Sequence, residues 1–404
     1  MSFILAMAIS LYGAVYFKDA LAGMLEQVPD GRYAFTYNPA YIEAAQPQIA
    51  HALYLRYAPH YSSGLHPFFD NLLAEGWLAR AQARALGIRG DDRFARLLAF
   101  GADCPGAVSI RDPRPARAPD LHAGTREEIA ALAHRASISG VQRKLLAVRS
   151  ASGFRPAVAG EFSTHIAKLS SPNLGELVEL EYLTTTAAKA FLPDDEVVEV
   201  EIAEVEDIQG RCLLVRRFDR VPSEDKIHFE EFNQLLERPA DAKYEGAYGE
   251  MAKFMLRHQQ YRREEDIDRL FRRILVCILL ANNDAHMKNF GLLYTTEGFR
   301  LAPFYDVVAA ALYPEYKGSL ALRLGAGKNP RDMASLGSKH LSALAESFEI
   351  SSNALKLAIA DLGRRLPIAT RVIEESAYGS KTVKEKLVVF MRKRWNATFK
   401  SIGK

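Results

Sequence analysis

The chain of 404 residues lacks most features that mark secreted, membrane or metal-rich proteins. Its three cysteines, Cys104, Cys212 and Cys277, are far apart, and no CxxC pair or Cys/His cluster accompanies them. This spacing excludes a disulfide framework and a zinc site, and it indicates a reduced, cytoplasmic setting. The formal net charge of +3 is close to neutral, so the charge of the whole chain does not require a nucleic-acid partner.

Long hydrophobic runs are also scarce. The N-terminal stretch MSFILAMAISLYGAVYF is apolar, but Lys18 and Asp19 interrupt it before it reaches the length of a membrane span. It has no basic start and no obvious cleavage site. We therefore expect residues 1–11 to be an N-terminal extension before a first strand, with a signal or anchor segment as the open alternative. No membrane partner is predicted.

The remaining patterns divide the chain into regions of different structure. Residues 12–37 predict strand, turn, strand, with PDG as the turn signal. A helical region follows, in which PFFDNLLAEGWLARAQARALGI has the apolar spacing of a helix. Residues 110–125 are proline-containing and weakly apolar, and they predict a linker. Residues 137–221 predict a small sheet with one inserted helix, and helices dominate from about residue 240 onward.

The stretch ILLANNDAHMKNFGLLY places dense polar chemistry directly after a buried helix. Asp284 and Asn289 have the D-x-x-x-x-N spacing in which protein kinases use the Asp as base and the Asn as metal ligand. Asp306 lies at the far end of a predicted hairpin, so it can meet Asn289 around Mg²⁺. On the pattern alone, a helix-terminating Asp284, a capping Asn289 and a structural His286 remain open. A hydrolase with His286, Asp284 and Asp306 as metal ligands fits less well, because no second histidine is nearby.

Upstream segments supply the other parts of a kinase in the expected order. The loop SISGVQRK, residues 137–144, precedes a predicted hairpin, Lys168 lies in the strand HIAKLS, and Glu181 lies on the next helix. A strand lysine among apolar neighbours is costly to bury unpaired, and a phosphate with a helix carboxylate would satisfy it. The alternative is an edge-strand lysine that faces water. The order of loop, Lys, Glu, Asp–Asn and Asp matches a kinase throughout.

Together these segments resemble one known family. SISGVQRK, HIAKL, VRRFDR, KYE, NDAHMKNF and LAPFYDV are similar to the HipA serine/threonine kinases, the toxins of bacterial HipBA-type toxin–antitoxin systems. PFFDNLLAEG resembles their small N-terminal subdomain. The resemblance implies an α+β, two-lobed protein-kinase-like fold with a small N-terminal β/helical subdomain and a helical C-lobe. The implied divisions are an N-terminal extension (1–11), the N-terminal subdomain (12–110), a linker (111–130), the kinase N-lobe with its phosphate loop (131–235) and the helical C-lobe with the catalytic loop (236–404).

The resemblance also assigns roles to single residues. Asp284 would be the catalytic base, in a loop that includes His286, and Asn289 with Asp306 would bind Mg²⁺. The residues implied to contact ATP come from the phosphate loop, the lysine strand, the next helix and an adenine-facing segment: Gly140, Gln142, Lys144, Lys168, Glu181, Glu230 and Phe232.

The resemblance further implies self-modification and partners. Family members phosphorylate a serine of their own phosphate loop. Ser137 takes that position here, and Ser139 adds a second hydroxyl. The SIS form resembles HipT, the kinase of three-component HipBST systems, although HipT-type chains lack the N-terminal subdomain predicted here. The implied partners are a HipB-like antitoxin, operator DNA only through that antitoxin, and an aminoacyl-tRNA synthetase as substrate.

Two questions stay open at the level of sequence. A catalytically silent ATP-binding subunit of an antitoxin–DNA complex, or a small-molecule kinase of the same fold, would carry much of the same pattern. The basic C-terminal helix KTVKEKLVVFMRKRWNATFK is interpreted as a docking helix with a solvated basic face, with DNA contact as the alternative.

Overall fold

The computed structural model describes residues 11–402, apart from 115–118, 121–123, 139, 141, 222–224, 262, 297, 317 and 328. The predicted extension at residues 1–11 therefore lies almost entirely outside the described residues, and so does Ser139. Within the described residues, the chain forms three antiparallel sheets and twelve α-helices.

The first unit is a five-stranded sheet, in the order β4-β3-β2-β1-β5, with four short helices. Its elements are β1 (Tyr12–Phe17), β2 (Ala20–Gln27), β3 (Tyr33–Tyr37), α1 (Pro39–Glu43), β4 (His60–Ser62), α2 (Pro67–Asn71), α3 (Gly76–Leu86), α4 (Arg93–Phe100) and β5 (Val108–Arg111). Val15, Leu25, Phe35 and Leu97 belong to its core. Residues 12–37 form three strands rather than the predicted two.

The stretch predicted as one helix is broken between α2 and α3. Leu72 and Leu73 are buried at the break, and Gly76 adopts a left-handed φ of +55°. A residue with a side chain rarely adopts that backbone conformation, whereas glycine does so at little cost. Glu75, the residue before α3, has an extended backbone, and its side chain does not cap the helix.

The second unit contains the small sheet predicted from the sequence, in the order β7-β6-β8-β10-β9. Its elements are α5 (Arg126–Ala133), β6 (Lys144–Ser150), β7 (Gly153–Pro156), β8 (His165–Lys168), α6 (Leu177–Phe191), β9 (Val200–Glu204) and β10 (Arg211–Arg216). Helix α5 begins with a capping box formed by Thr125 and Glu128. Leu132 of α5 is buried in the core of this unit, so the predicted linker 111–130 overlaps the start of an N-lobe helix.

The third unit is mainly helical. Its elements are β11 (His228–Glu231), α7 (Phe232–Leu235), α8 (Gly249–Arg257), α9 (Glu264–Leu279), β12 (Gly291–Thr295), β13 (Gly298–Leu301), α10 (Ser338–Ser347), α11 (Ser352–Glu375) and α12 (Lys381–Arg394). Strands β12 and β13 form the predicted hairpin, and β11 pairs with β12. Residues 228–235 therefore pair and pack with the C-lobe, whereas the predicted division placed them in the N-lobe. Leu387 and Met391 of the basic helix α12 are buried, as expected for a docking helix.

Two expectations about what the chain lacks can be compared with the structure. The three cysteines are buried and form no disulfide with one another. Among the residues that the structure describes, no helix combines the length and the hydrophobicity that a membrane span requires.

Candidate active site

The catalytic-loop candidate begins where the central C-lobe helix ends. Helix α9 starts with three acidic residues, which favour a helix N-terminus, and its second half is almost completely buried. It ends as Ala281 adopts a left-handed φ of +58°, and the backbone N–H of Asn282 donates to the carbonyl of Cys277 over 2.9 Å. The chain therefore leaves the end of α9 in a fixed direction. It then enters the cleft between the second and third units, which residues 282–289 help to form.

Asp284 lies at the open end of this cleft. Its Oδ1 accepts a hydrogen bond from the Tyr244 hydroxyl over 2.9 Å, and its backbone N–H donates to Asn282 Oδ1 over 3.2 Å. Partial desolvation raises the pKa of Asp284 to about 6, and the Tyr244 hydrogen bond opposes that rise. A carboxylate with a pKa near 6 is suited to accept a proton near neutral pH.

His286 is buried within the same loop and contributes to its shape. Its ring Nδ1 accepts from the backbone N–H of Lys288 over 3.3 Å, and the backbone N–H of His286 donates to Asn289 Oδ1 over 2.8 Å. Burial, together with the nearby charge of Lys243, lowers the pKa of His286 to about 3. The imidazole is therefore neutral near pH 7, and its ring nitrogen caps the short turn at residues 287–289.

Four predicted residues, two from the N-lobe and two from the C-lobe, meet in the cleft. Lys168 Nζ donates to Glu181 Oε1 and, over 2.5 Å, to Asp306 Oδ1. Asn289 Nδ2 donates to Asp306 Oδ2 over 2.7 Å. Lys168 lies on β8, the middle strand of its sheet, and is only 6% exposed, so the alternative of an edge-strand lysine that faces water is wrong. Asp306 itself has a left-handed φ of +59°.

The charges of this group are interdependent. Burial alone would raise the pKa of Asp306, but the ammonium groups of Lys168 and Lys144 hold it well below its usual range. Burial raises the pKa of Glu181, although Lys168 opposes the rise. Glu181 Oε2 is buried without a hydrogen-bond partner among the described residues. The cleft therefore presents an ionised Asp306 beside a cation, which suits a metal ion and a phosphate.

The phosphate-loop candidate covers a second buried lysine. Lys144 lies on β6 directly opposite Lys168, and burial and the Lys168 charge lower the pKa of Lys144 to about 8. Gly140 has a φ of +100°, and a Cβ atom there would lie 2.5 Å from Lys144 Nζ. The positive φ favours glycine here, and a side chain at this position would also displace the Lys144 ammonium group. Gln142 lines the outer part of the cleft, which Lys144 and Asp284 also line.

Of the two serines predicted to be phosphorylated in the loop, the structure describes only Ser137. Ser137 is 1% exposed and lines the inner cleft, and its backbone N–H donates to the carbonyl of Asp103 over 3.1 Å. Its hydroxyl is buried without a hydrogen-bond partner among the described residues. Ser139 lies outside the described residues.

The predicted adenine segment is in the cleft wall, but two of its side chains point away from it. Phe229 and Glu231 line the cleft, whereas Glu230 and Phe232 do not. Side chains alternate between the two faces of a strand, which explains the division along β11. Glu230 instead accepts from the Tyr294 hydroxyl and from the His51 backbone N–H, the latter over 2.8 Å. Phe232 is fully buried in the C-lobe core. The side chains of Glu230 and Phe232 therefore do not face ATP in the cleft, and only their backbone atoms can contact it.

Sequence reasoning missed the other part of this wall. The chain leaves β10 along the inner cleft through residues 215–219, within the quoted motif VRRFDR. Phe218 packs against Phe229 and Tyr305, with ring centroids 5.1 and 5.4 Å apart. An aromatic wall beside exposed backbone is typical of sites for planar ligands. The signal in the sequence was an aromatic residue directly after a strand that ends in arginines.

Two buried arginines connect residues 215–220 to the N-terminal unit through ion pairs. Arg217 donates to Asp219 Oδ2 over 2.8 Å and to Asp103 Oδ2 over 3.2 Å. Arg220 also pairs with Asp103 and Asp219. Asp103 lies between α4 and β5, and its carbonyl accepts from Ser137. The N-terminal unit, the phosphate loop and the cleft wall are thus joined by one buried ionic network.

The described residues contain no group of three or more His, Cys, Asp and Glu side chains that could hold a metal ion. The hydrolase alternative, with His286, Asp284 and Asp306 as ligands, needs such a group. The structure brings Asp306 and Asn289 together, with the Asn289 amide nitrogen donating to Asp306 Oδ2 and the amide oxygen accepting from the His286 backbone N–H.

Comparisons with known proteins agree with this arrangement. The family models described as HipA N-terminal domain and HipA-like C-terminal domain match residues 13–111 and 136–369. The Sinorhizobium fredii protein Y4dM, which is named as a kinase, is 30% identical over 347 residues, covering 81% of this chain and 83% of that protein. The serine/threonine-protein kinase toxin HipA of Shewanella oneidensis is 26% identical over 348 residues, covering 76% of this chain and 77% of that protein.

The fold is also found among solved structures. Shewanella oneidensis HipA, in its complex with HipB and operator DNA, superposes with a TM-score of 0.77 at 21% sequence identity. The match covers 97% of this chain and 99% of that chain, and it confirms the predicted two-lobed kinase-like fold with an N-terminal subdomain. From the family models, the relatives and the fold, we conclude that the chain belongs to the HipA family of kinases.

Proposed function

We propose that this protein is an ATP- and Mg²⁺-dependent serine/threonine protein kinase and the toxin of a HipBA- or HipBST-type toxin–antitoxin system. The observation that carries the proposal is the meeting of Lys168, Asn289 and Asp306 at one point of the cleft. Lys168 lies more than a hundred positions before the other two in sequence, and phosphoryl transfer is the chemistry that needs all three together.

We assign roles in that reaction to charged residues of the candidate site. Asp284 accepts the proton of the substrate hydroxyl, because it faces the open end of the cleft and its pKa is raised to about 6. Lys168 balances phosphate charge, and Glu181 holds it in place from helix α6. Lys144 adds a second cation beneath the loop at Gly140. Ordered donors and charges of this kind lower the barrier because they need no reorganisation during the reaction.

Mg²⁺ fits the ligands that are present. Asp306 is held ionised, and Asn289 reaches it within hydrogen-bond distance. Asn289 Oδ1 already accepts from the His286 N–H, but a carbonyl oxygen has two lone pairs, so it can also serve a metal ion. Bound there, Mg²⁺ would neutralise phosphate charge during transfer. The aromatic wall at Phe218 and Tyr305 is the surface against which we place the adenine ring, with the backbone of residues 215–219 and 229–231 beside it.

The choice of protein substrate and partner rests on the family. The HipA relative whose structure is similar was solved together with HipB and operator DNA. We propose a HipB-like antitoxin as partner, operator DNA bound only through it, and an aminoacyl-tRNA synthetase as the phosphorylated protein. Inhibition of translation in the cytoplasm would follow from loss of that synthetase.

Self-phosphorylation at Ser137, Ser139 or both completes the proposal. Ser137 is buried in the cleft wall, so its hydroxyl can be modified only when the loop has moved away from Asp103. A phosphate on that loop would bring about two negative charges to the place where ATP phosphates bind. We therefore propose that the modification turns the kinase off.

The test is transfer of the labelled γ-phosphate of MgATP to the chain itself and to purified glutamyl- and tryptophanyl-tRNA synthetases. Label should appear on a serine of one synthetase and on Ser137 or Ser139 by mass spectrometry. The Asp284→Asn variant should transfer at most about a hundredth as fast, because it has lost its proton acceptor. ATP binding without transfer to any protein would instead favour a silent regulatory subunit.

A further inference from the structure

The function proposed so far assigns no role to the motif PFFDNLLAEG, although this motif extends to the cleft of the candidate active site. The helix break after α2 directs Glu75 between two C-lobe lysines. Glu75 Oε2 accepts from Lys243 Nζ over 2.5 Å, and Glu75 Oε1 accepts from Lys288 Nζ over 2.8 Å. All three residues line the inner cleft, where Lys144 and Asn289 also lie. A residue of the N-terminal subdomain is therefore part of the wall of the candidate active site.

The backbone around Glu75 is fixed to the C-lobe by further contacts. The carbonyl of Asn71 accepts from Lys288 Nζ over 3.1 Å. The side chain of Asn71 donates to the Arg238 carbonyl and accepts from Asn233 Nδ2, both over 2.8 Å. Asp70 Oδ2 accepts from the Ala240 N–H over 2.8 Å. These bonds hold the break rigidly in place, so Glu75 is aimed at the lysines rather than free to turn to water.

The charges of this cluster balance. Glu75 and Glu231 face Lys243 and Lys288, with Glu231 Oε2 lying 3.6 Å from Lys288 Nζ. The two lysine side chains are 8% and 3% exposed, and that of Glu75 is 16% exposed. Burial alone would raise the pKa of Glu75, but Lys288 and Lys243 lower it to about 2. Glu75 is thus an anion at neutral pH, and its loss would leave two buried ammonium groups opposite one carboxylate.

Lys288 connects this cluster to the proposed chemistry. It precedes Asn289 in the chain, and its carbonyl accepts from the Tyr305 hydroxyl over 2.8 Å. Tyr305 in turn precedes Asp306. Holding Lys288 therefore fixes the backbone on which both proposed metal ligands depend. Groups that orient metal ligands from outside are typically worth about 10- to 100-fold in metal affinity or activity.

We propose that Glu75 is a positioning residue of the kinase, which holds Lys288 and through it the catalytic loop in its productive arrangement. The N-terminal subdomain is then a part of the catalytic centre. This inference rests on the proposed function for its kinetic consequence, but its structural consequence can be measured without any phosphoryl transfer.

The experiment compares full-length wild type with Glu75→Gln and with Lys18→Gln as the matched control. Lys18 forms another ion pair between the N-terminal subdomain and the kinase region, with Asp225 over 2.8 Å, but both partners are about half exposed and neither lines the cleft. Amide hydrogen exchange over residues 282–290 is measured first. Transfer from MgATP is then measured as kcat, KM for ATP and the Mg²⁺ concentration at half-maximal rate.

Glu75→Gln should exchange faster over 282–290 and need more Mg²⁺, with kcat lower by about 10- to 100-fold and a smaller change in KM. Lys18→Gln should match wild type in all four quantities. If Glu75→Gln fails to fold, the double variant Glu75→Gln/Lys243→Gln removes one charge of each sign and keeps the cluster neutral, and the same loosening of residues 282–290 is expected.

Three results would overturn the inference. Wild-type exchange and rates in Glu75→Gln would show that Lys288 needs no anchor. A higher kcat would show that Glu75 blocks the lysines instead of positioning them. Equal losses in Lys18→Gln would show that only general docking of the subdomain matters. If wild type itself transfers no phosphate, the proposed function fails, and the exchange comparison alone then decides whether Glu75 positions the loop.

Discussion

The side-chain amide of Asn289 donates to Asp306 Oδ2 over 2.7 Å, although the hairpin β12–β13 separates the two residues in the chain. The same carboxylate accepts from Lys168 on its other oxygen. Asp306 thus joins the catalytic loop of the C-lobe to the central strand of the N-lobe sheet. A single residue that contacts both lobes is the place where closure of the cleft can be coupled to phosphate binding.

The first prediction concerns the acidic limb of the pH–rate profile. Asp284 must be ionised to accept a proton, and its pKa is raised to about 6. We expect kcat/KM to rise with pH, by about tenfold per unit below pH 6, and to level off above it. His286 stays neutral over this range, because its pKa is lowered to about 3. A rate independent of pH between 5 and 7 would contradict the assignment of Asp284 as base.

The second prediction concerns the hydroxyl that contacts this base. Tyr244 donates to Asp284 Oδ1 and favours its ionised form. The Tyr244→Phe variant should therefore have a higher pKa at Asp284, so the midpoint of the acidic limb moves to higher pH. The control is Tyr313→Phe, which removes a phenol that donates to the Gly175 carbonyl over 2.8 Å. A midpoint that stays in place in Tyr244→Phe, or moves equally in both variants, would argue against the contact.

The third prediction concerns stability rather than activity. Complete burial raises the pKa of Glu230 to about 7, against 4.5 for an exposed glutamate. The folded state then binds a proton more tightly than the unfolded state, so stability is full below pH 4.5 and falls as pH rises through 7. At pH 8 the Glu230→Gln variant should be more stable than wild type, by up to about 3 kcal/mol at 1.36 kcal/mol per pKa unit.

Urea unfolding at pH 5 and pH 8 measures this difference. The gain should be present at pH 8 and small at pH 5, where the wild-type side chain is protonated. Glu199→Gln is the control, since the Glu199 side chain is 66% exposed and its charge is solvated in both states. An equal effect of Glu230→Gln at both pH values would show that Glu230 does not titrate on unfolding.

Most of the residues that meet in the candidate site could be named from the sequence, because they occur in local patterns that follow one another in a fixed order. A buried helix followed by Asp284 and Asn289, a hairpin that returns at Asp306, and a strand lysine at 168 each have a short-range signal. The three segments meet where Lys168, Asn289 and Asp306 form hydrogen bonds with one another. Apolar periodicity predicts the elements that carry these residues, and the order of the motifs indicates a kinase-like arrangement.

The parts that escaped prediction depend on contacts between distant segments. Helical spacing continues through Leu72 and Leu73, so nothing local revealed the break that directs Glu75 to Lys288. Strand β2 was missed because ALAGMLEQ contains mostly helix-forming residues, and pairing with both β1 and β3 makes it a strand. The aromatic wall at Phe218 is recognisable only after β10 and β11 are placed beside the cleft.

The most direct measurement of the central claim is the rate of phosphoryl transfer from MgATP in the Asp306→Asn variant. This change removes the charge that pairs with Lys168 and faces Asn289, and it keeps the shape of the side chain. Asp268→Asn is the control, because Asp268 lies on α9 with its side chain 46% exposed. The account predicts a loss of at least about a hundredfold in Asp306→Asn and a change within about twofold in Asp268→Asn. Transfer by Asp306→Asn at the wild-type rate would contradict it.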